Sequence, residues 1–162
     1  MAEELRQQVP VIKDVLRAMH IEVIEKAGLE ADDLLGTLSH RCEEKGMDVS
    51  IISGDRDTLQ LATEHIKIRI PKTKQGKTEV EDYYAADVQE RYGVTPKEFI
   101  DVKALMGDTA DNIPGVPGVG EKTATKIIQQ YQTIENAYEH VDELKPPRAR
   151  KNLKEFWEQA KL

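Results

Sequence analysis

The sequence predicts an α/β core over residues 1–92 followed by an α-helical region over 93–162. Three observations predict it. Short β-branched runs alternate with helical apolar stripes as far as Tyr92, the pattern of an α/β layer. Beyond Thr95 only helical periodicity remains. Within that helical region lies one Gly- and Pro-rich stretch, Met106 to Ala124, with acids at its start and a helix at its end.

The elements follow in order. Leu5, Val9, Ile12, Leu16 and Met19 recur at spacings of four and three, one apolar helix face. Ile21 to Ile24 is a short strand candidate, and Gly28 breaks the chain before a second helix. Ala31, Leu34, Leu35, Leu38 and Cys42 form the expected buried stripe of that helix, which Gly46 ends. Val49-Ser50-Ile51-Ile52 reads as a buried strand. It stops at Ser53-Gly54-Asp55-Arg56-Asp57, with a short helix expected from about Thr58 to Ala62. Ile66, Ile68 and Ile70 alternate with Lys67 and Arg69, a half-buried strand. A basic turn around Lys72 to Lys77 leads into a return strand over Thr78–Val80. Ala85 to Tyr92 is helical and closes at Gly93.

In Thr95-Pro96-Lys97-Glu98 the threonine caps, the proline takes the first helical position and the glutamate completes a capping box. Phe99, Val102, Leu105 and Met106 are the stripe of that helix. Ala124, Ile127, Ile128 and Tyr131 mark the next. Ile134, Ala137, Tyr138 and Val141 mark another, capped by Thr133. After Pro146-Pro147, the residues Leu153, Phe156, Trp157 and Ala160 mark a last one.

Composition narrows the function classes. The chain is 39% hydrophobic and 33% charged, as a globular protein is. No stretch is apolar for long enough to span a membrane. The first residues are polar, so no signal peptide is expected. A single cysteine, Cys42, excludes an internal disulfide framework and fits a reducing cytoplasm. It is expected as a buried thiol. The net charge of −7 is unevenly spread: residues 112–162 hold 8 Lys+Arg against 7 Asp+Glu, so the acidity belongs to residues 1–111. Charge distribution matters more than the total for a nucleic-acid partner. The four histidines show no ligand spacing.

The acids form three groups, Glu30 with Asp32 and Asp33, Asp55 with Asp57, and Asp108 with Asp111. The first group sits in a first helical turn, where acids also suit the helix dipole. Asp55 and Asp57 directly follow a strand, where sites form in open α/β sheets, although a turn with a helix cap would use the same residues. Asp108 and Asp111, three apart, face the same way on one helical turn. Gathered in one cleft, seven carboxylates would need bound cations or raised pKa values. Oxygen-only ligands favour Mg²⁺ or Mn²⁺, and two such ions suit phosphodiester hydrolysis. The glycines after Asp111 leave backbone N–H groups uncovered ahead of a helix N-terminus, which suits a phosphate. A nucleotide-binding P-loop fits poorly, because Glu121 separates Gly120 from Lys122 and no apolar strand leads in.

Glu30-Ala31-Asp32-Asp33, Ser53 to Asp57 and Gly107 to Ala124, in this order and at these spacings, resemble the motifs of the 5′-nuclease (flap endonuclease) family, in particular the 5′–3′ exonuclease domain of bacterial DNA polymerases. The resemblance covers nearly the whole chain. It implies a partial PIN-like nuclease core, followed by a helix–hairpin–helix-type (SAM-like) DNA-binding region. It implies that Glu30, Asp32, Asp33, Asp55, Asp57, Asp108 and Asp111 are ligands of two Mg²⁺ or Mn²⁺ ions. It implies that Val116 to Lys122 is a hairpin gripping the duplex backbone, with Gly118, Val119, Gly120, Lys122, Thr123 and Lys126 on DNA and K⁺ on the main chain of Val116 and Val119. The implied substrates are flaps and nicked or gapped duplexes, with a polymerase domain covalently linked in the full-length protein and a cytoplasmic location. In the family a large N-terminal part precedes what is here Ala2, carrying a central strand, two further ligand aspartates and a helical arch. The chain is therefore expected to be a fragment, with little activity alone, an open edge at Val49–Ile52 and a tendency to dimerise or to close the gap by rearrangement. A non-catalytic duplex-DNA-binding module is the alternative, and a divalent-cation-binding interaction domain a third reading.

Overall fold

The computed structural model describes residues 3–74, 76–109 and 112–161. The chain forms two compact units, Met1–Leu35 and Gly36–Leu162.

The first unit holds helix α1 (Glu3–Ala18) and the first turn of helix α2 (Ala31–Glu43). Glu3 and Glu4 open α1 and Arg17 closes it, so the charges complement the helix dipole. The helix forms where its apolar periodicity places it, yet none of its residues is buried. Ile21 to Ile24 is not a strand. Among the described residues they join no ladder, and without one a β-branched run does not become a strand. Ion pairs from Lys13 and Arg17 to Glu25 tie this segment back to α1.

The second unit contains a three-stranded sheet in the order β1 (Val49–Ile52), β2 (Ile66–Lys74), β3 (Lys77–Tyr83). β1 and β2 are parallel, joined through a 3₁₀ helix over Arg56–Leu61. β2 and β3 are antiparallel, and β3 is longer than the return strand expected. Ile66, Ile68 and Ile70 bury one face of β2 as the alternation requires. β1 differs from the expected fully buried strand. Ile51 is buried, whereas Ile52, on the opposite face, is 70% exposed. Among the described residues β1 pairs with β2 alone, so it is an edge strand covered on one face. The stripe of α2 is likewise incompletely covered. Leu34, Leu35 and Cys42 are half-buried, Ala31 and Leu38 exposed, and Ser39 is the buried residue of the helix.

Helices α3 (Ala85–Tyr92), α4 (Pro96–Met106), α5 (Glu121–Tyr131) and α6 (Ile134–Glu139) follow. The capping box at α4 is formed: Glu98 N–H donates to Thr95 Oγ1 and Thr95 N–H to Glu98 Oε2. Ala124, Ile127, Ile128 and Tyr131 are all buried, as are Phe99, Val102 and Leu105. Each such large side chain contributes about 1.5–3 kcal/mol when fully buried, which anchors α4 and α5 firmly. The last expected helix is two, α7 (Pro147–Glu155) and α8 (Trp157–Ala160). Phe156, at φ −110°, leaves the helical region and divides them. No helix among the described residues is long and apolar enough to cross a membrane.

Candidate functional site

The second unit joins two of the three acid groups. At the end of β1 the chain turns on its own side chains. Asp55 N–H donates to Ser53 Oγ, and Asp57 N–H donates to Asp55 Oδ1 at 2.9 Å. Thr58 is buried and its hydroxyl donates to the Asp55 carbonyl. The cap of the following 3₁₀ helix is thus Asp55, not Asp57, and Asp57 is left to point elsewhere.

Asp108 is placed by α4. Gly107 ends that helix at φ +76°, and Asp108 and Ile113 exchange backbone hydrogen bonds in both directions, 2.8 and 2.7 Å. Asp111 lies outside the described residues. Lys103, one turn before the helix end, brings Asp57 and Asp108 together. Its Nζ is 2.8 Å from Asp57 Oδ1 and also contacts Asp108 Oδ2. Sequence reasoning missed Lys103, since a lone lysine in a helix carries no spacing signal. Burial opposes the charge on Lys103, but the Asp108 and Asp57 carboxylates beside it outweigh that, and its pKa is raised.

The side chains of Asp57, Lys103 and Asp108 are each about a quarter exposed or less, 26%, 23% and 21%. Asp57 Oδ1 is shut off from solvent and has no well-aligned hydrogen bond; the lysine ammonium is close to it but off the bonding line. That oxygen is an underused acceptor beside an ammonium that also contacts Asp108. Its chemistry fits a hard cation, and no imidazole or thiol stands in the set. A cavity of about 160 Å³ opens here, lined by Asp57, Lys103 and Asp108 with Phe99, Ile100 and Ile113.

Glu30, Asp32 and Asp33 lie in the first unit, at the start of α2. Glu30 N–H donates to Asp33 Oδ2 at 3.0 Å, so Asp33 also stabilises the helix start.

The glycine-rich stretch is built by backbone packing. A methyl on Gly115 would fall 2.3 Å from the Gly107 nitrogen, so the two ends of the turn fit only as glycines. Val116 N–H donates to the Leu105 carbonyl, and Val119 N–H to the Val116 carbonyl. Val116 and Val119 are buried, which pins the turn from below and leaves Gly118 and Gly120 at the surface. Gly120 precedes α5 and a methyl there would meet nothing within 4 Å. Lys122 and Lys126 are exposed one turn apart on α5, with Thr123 half-buried between them.

A family model described as 5′–3′ exonuclease, N-terminal resolvase-like domain, matches residues 1–93. One described as 5′–3′ exonuclease, C-terminal SAM fold, matches residues 94–162. DNA polymerase I of Bacillus caldotenax is 46% identical over 159 residues, 98% of this chain and 18% of the polymerase. The bacteriophage T5 D15 protein, crystallised with metal ions, superposes with a TM-score of 0.81 at 25% identity, over 99% of this chain and 59% of that one. A D15 flap endonuclease complex with DNA and metal ions gives a TM-score of 0.80 at 25% identity, with the same coverage. The chain therefore spans under a fifth of the polymerase relative and about three-fifths of the phage protein.

Proposed function

Because the chain belongs to the 5′–3′ exonuclease family, we propose that it is part of a structure-specific 5′-nuclease that hydrolyses DNA phosphodiesters at flaps, nicks or gaps. The observation that carries this reading is the triad Asp57–Lys103–Asp108, two carboxylates from separate elements held around one cation at a cavity mouth. In this reading Asp57 and Asp108, with Asp55, Asp111, Glu30, Asp32 and Asp33, hold two Mg²⁺ or Mn²⁺ ions. Such ions supply an activated water and stabilise the leaving oxygen of a phosphodiester. Lys103 holds Asp57 and Asp108 together, and its ammonium lines the cavity that a phosphate would enter.

The labour divides along the chain. Residues 1–92 carry most of the acids. Residues 93–162 carry the hairpin, where Gly118, Val119 and Gly120 allow close backbone approach and Lys122, Thr123 and Lys126 neutralise or hydrogen-bond the duplex backbone. The main-chain oxygens of Val116 and Val119 are the proposed K⁺ ligands. The protein is proposed to work in a bacterial cytoplasm, joined to a polymerase domain.

The second reading, a duplex-DNA-binding module without catalysis, is favoured by the hairpin lying wholly within one compact unit. A 5′-flap duplex incubated with the chain in Mg²⁺ and in EDTA separates the two. Metal-dependent release of the flap supports the nuclease reading. Binding without cleavage, with and without metal, supports the module. No binding at all overturns both.

A further inference from the structure

Helices α7 and α8 brace the hairpin from one side. Asn152 Nδ2 donates to the Pro117 carbonyl and Gln159 Nε2 to the Gly115 carbonyl, each at 2.5 Å. Arg148, in the first turn of α7, lies directly on the tip. A methyl on Gly118 would sit 2.7 Å from Arg148 Nε and 3.0 Å from Cζ, so the guanidinium rests on a Cα face that only glycine leaves bare. Gly118 also has φ +76°, a conformation other residues rarely take.

Two other cations of the same helix are committed to Asp142. Arg150 donates to the Asp142 carbonyl at 2.9 Å, and Lys154 pairs with the Asp142 carboxylate at 2.6 Å. Arg148 is exposed and makes no ion pair among the described residues. A guanidinium has five donors in a planar fork suited to two oxygens of one phosphate. Here it is exposed and lies against the Gly118 tip with no carboxylate paired to it among the described residues. We infer that Arg148 is a phosphate-contact residue of the hairpin, a third cation acting with Lys122 and Lys126, although it comes from a helix well downstream of the turn. This rests on the reading that the hairpin faces a duplex.

The test is the salt dependence of duplex binding by the full chain, measured by anisotropy of a labelled blunt duplex across a KCl series. Removing one phosphate-neutralising cation flattens the slope of log K against log salt by about 0.9. Arg148→Gln is expected to flatten it by about that much, as Lys122→Gln does. Arg148→Lys is expected to keep the slope, since the charge remains. Lys154→Gln, whose charge is spent on Asp142, is expected to leave it unchanged. A slope for Arg148→Gln equal to the parent's, with Lys122→Gln flattened, overturns the inference and leaves the hairpin reading intact. Arg148→Gln lowering the melting temperature without changing the slope overturns it equally. If the parent chain does not bind duplex, the hairpin reading and this inference fall together.

Discussion

Lys103 Nζ lies 2.8 Å from Asp57 Oδ1 and bridges it to Asp108, so a single ammonium joins the 3₁₀ helix after β1 to the end of α4. Exposed pairs are worth about 0–1 kcal/mol, and breaking a fully buried one costs about 3–5. These side chains are about a quarter exposed, which puts Lys103→Met at about 2 kcal/mol of lost stability without metal. Millimolar Mg²⁺ or Mn²⁺ should narrow that gap, because a cation on the two carboxylates replaces the missing charge. Thermal melts of parent and variant in EDTA and in Mn²⁺ check this. An equal loss in both buffers would show that no cation takes the lysine's place.

Gly115 and Gly120 should behave as opposites. A Cβ at Gly115 would collide with backbone atoms of Met106 and Gly107 at 2.3–2.7 Å, on top of φ +59°. Neither strand of the turn can yield cheaply, so Gly115→Ala should cost on the order of 3–4 kcal/mol. Gly120 is open and has φ −96°, so Gly120→Glu should change stability by less than about 1 kcal/mol while abolishing duplex binding. Chemical denaturation paired with a binding assay reads both. Unimpaired binding by Gly120→Glu would make the hairpin a mere turn.

How far the sequence disclosed this molecule depended on whether a feature was local. The capping box at Thr95, the glycine end of α3 and the stripe Ala124–Ile127–Ile128–Tyr131 are set by neighbours in the chain, and the structure has them. Coverage is not local. Ile52 and Leu38 carry the same apolar signal as Ile68 or Leu105, yet what buries a residue is another element arriving on its face. Ile21–Ile24 failed as a strand for the same reason. In the site, the acids were visible as motifs, but the Lys103 bridge arises only when the 3₁₀ helix after β1 and α4 meet. Arg148 on Gly118 is likewise a meeting of distant segments.

Asp101 on α4 should give the protein a pH dependence of unusual sign. Burial and the nearby Glu135 carboxylate push its pKa up to about 6, although it accepts a bond from the Ile134 amide. A carboxyl raised on folding binds more protons in the native state, so stability falls as pH rises from about 3.8 to about 6 and stays lower above. Asp101→Asn keeps the acceptor and removes the charge. It should raise the melting temperature at pH 7 by a few degrees, about 1 kcal/mol after allowance for its partial exposure, and flatten the pH profile in that window. Identical profiles for parent and variant would show that Asp101 ionises freely.

The open edge of β1 should govern self-association. Among the described residues one side of the strand has no partner, and Ile52 stands 70% exposed beside it. An apolar edge with unpaired N–H and C=O groups is a template for another strand. Lysine at such a position blocks pairing by charge while keeping the backbone. Where the chain self-associates through this edge, Ile52→Lys should shift it toward monomer, and because the side chain is already in solvent, it should alter stability by no more than about 0.5 kcal/mol. Sedimentation velocity at several concentrations reads the first effect and a denaturant melt the second. Parent and variant associating equally would place the contact elsewhere, and a parent that stays monomeric at every concentration would show that the edge is already protected by the twist and brevity of the strand.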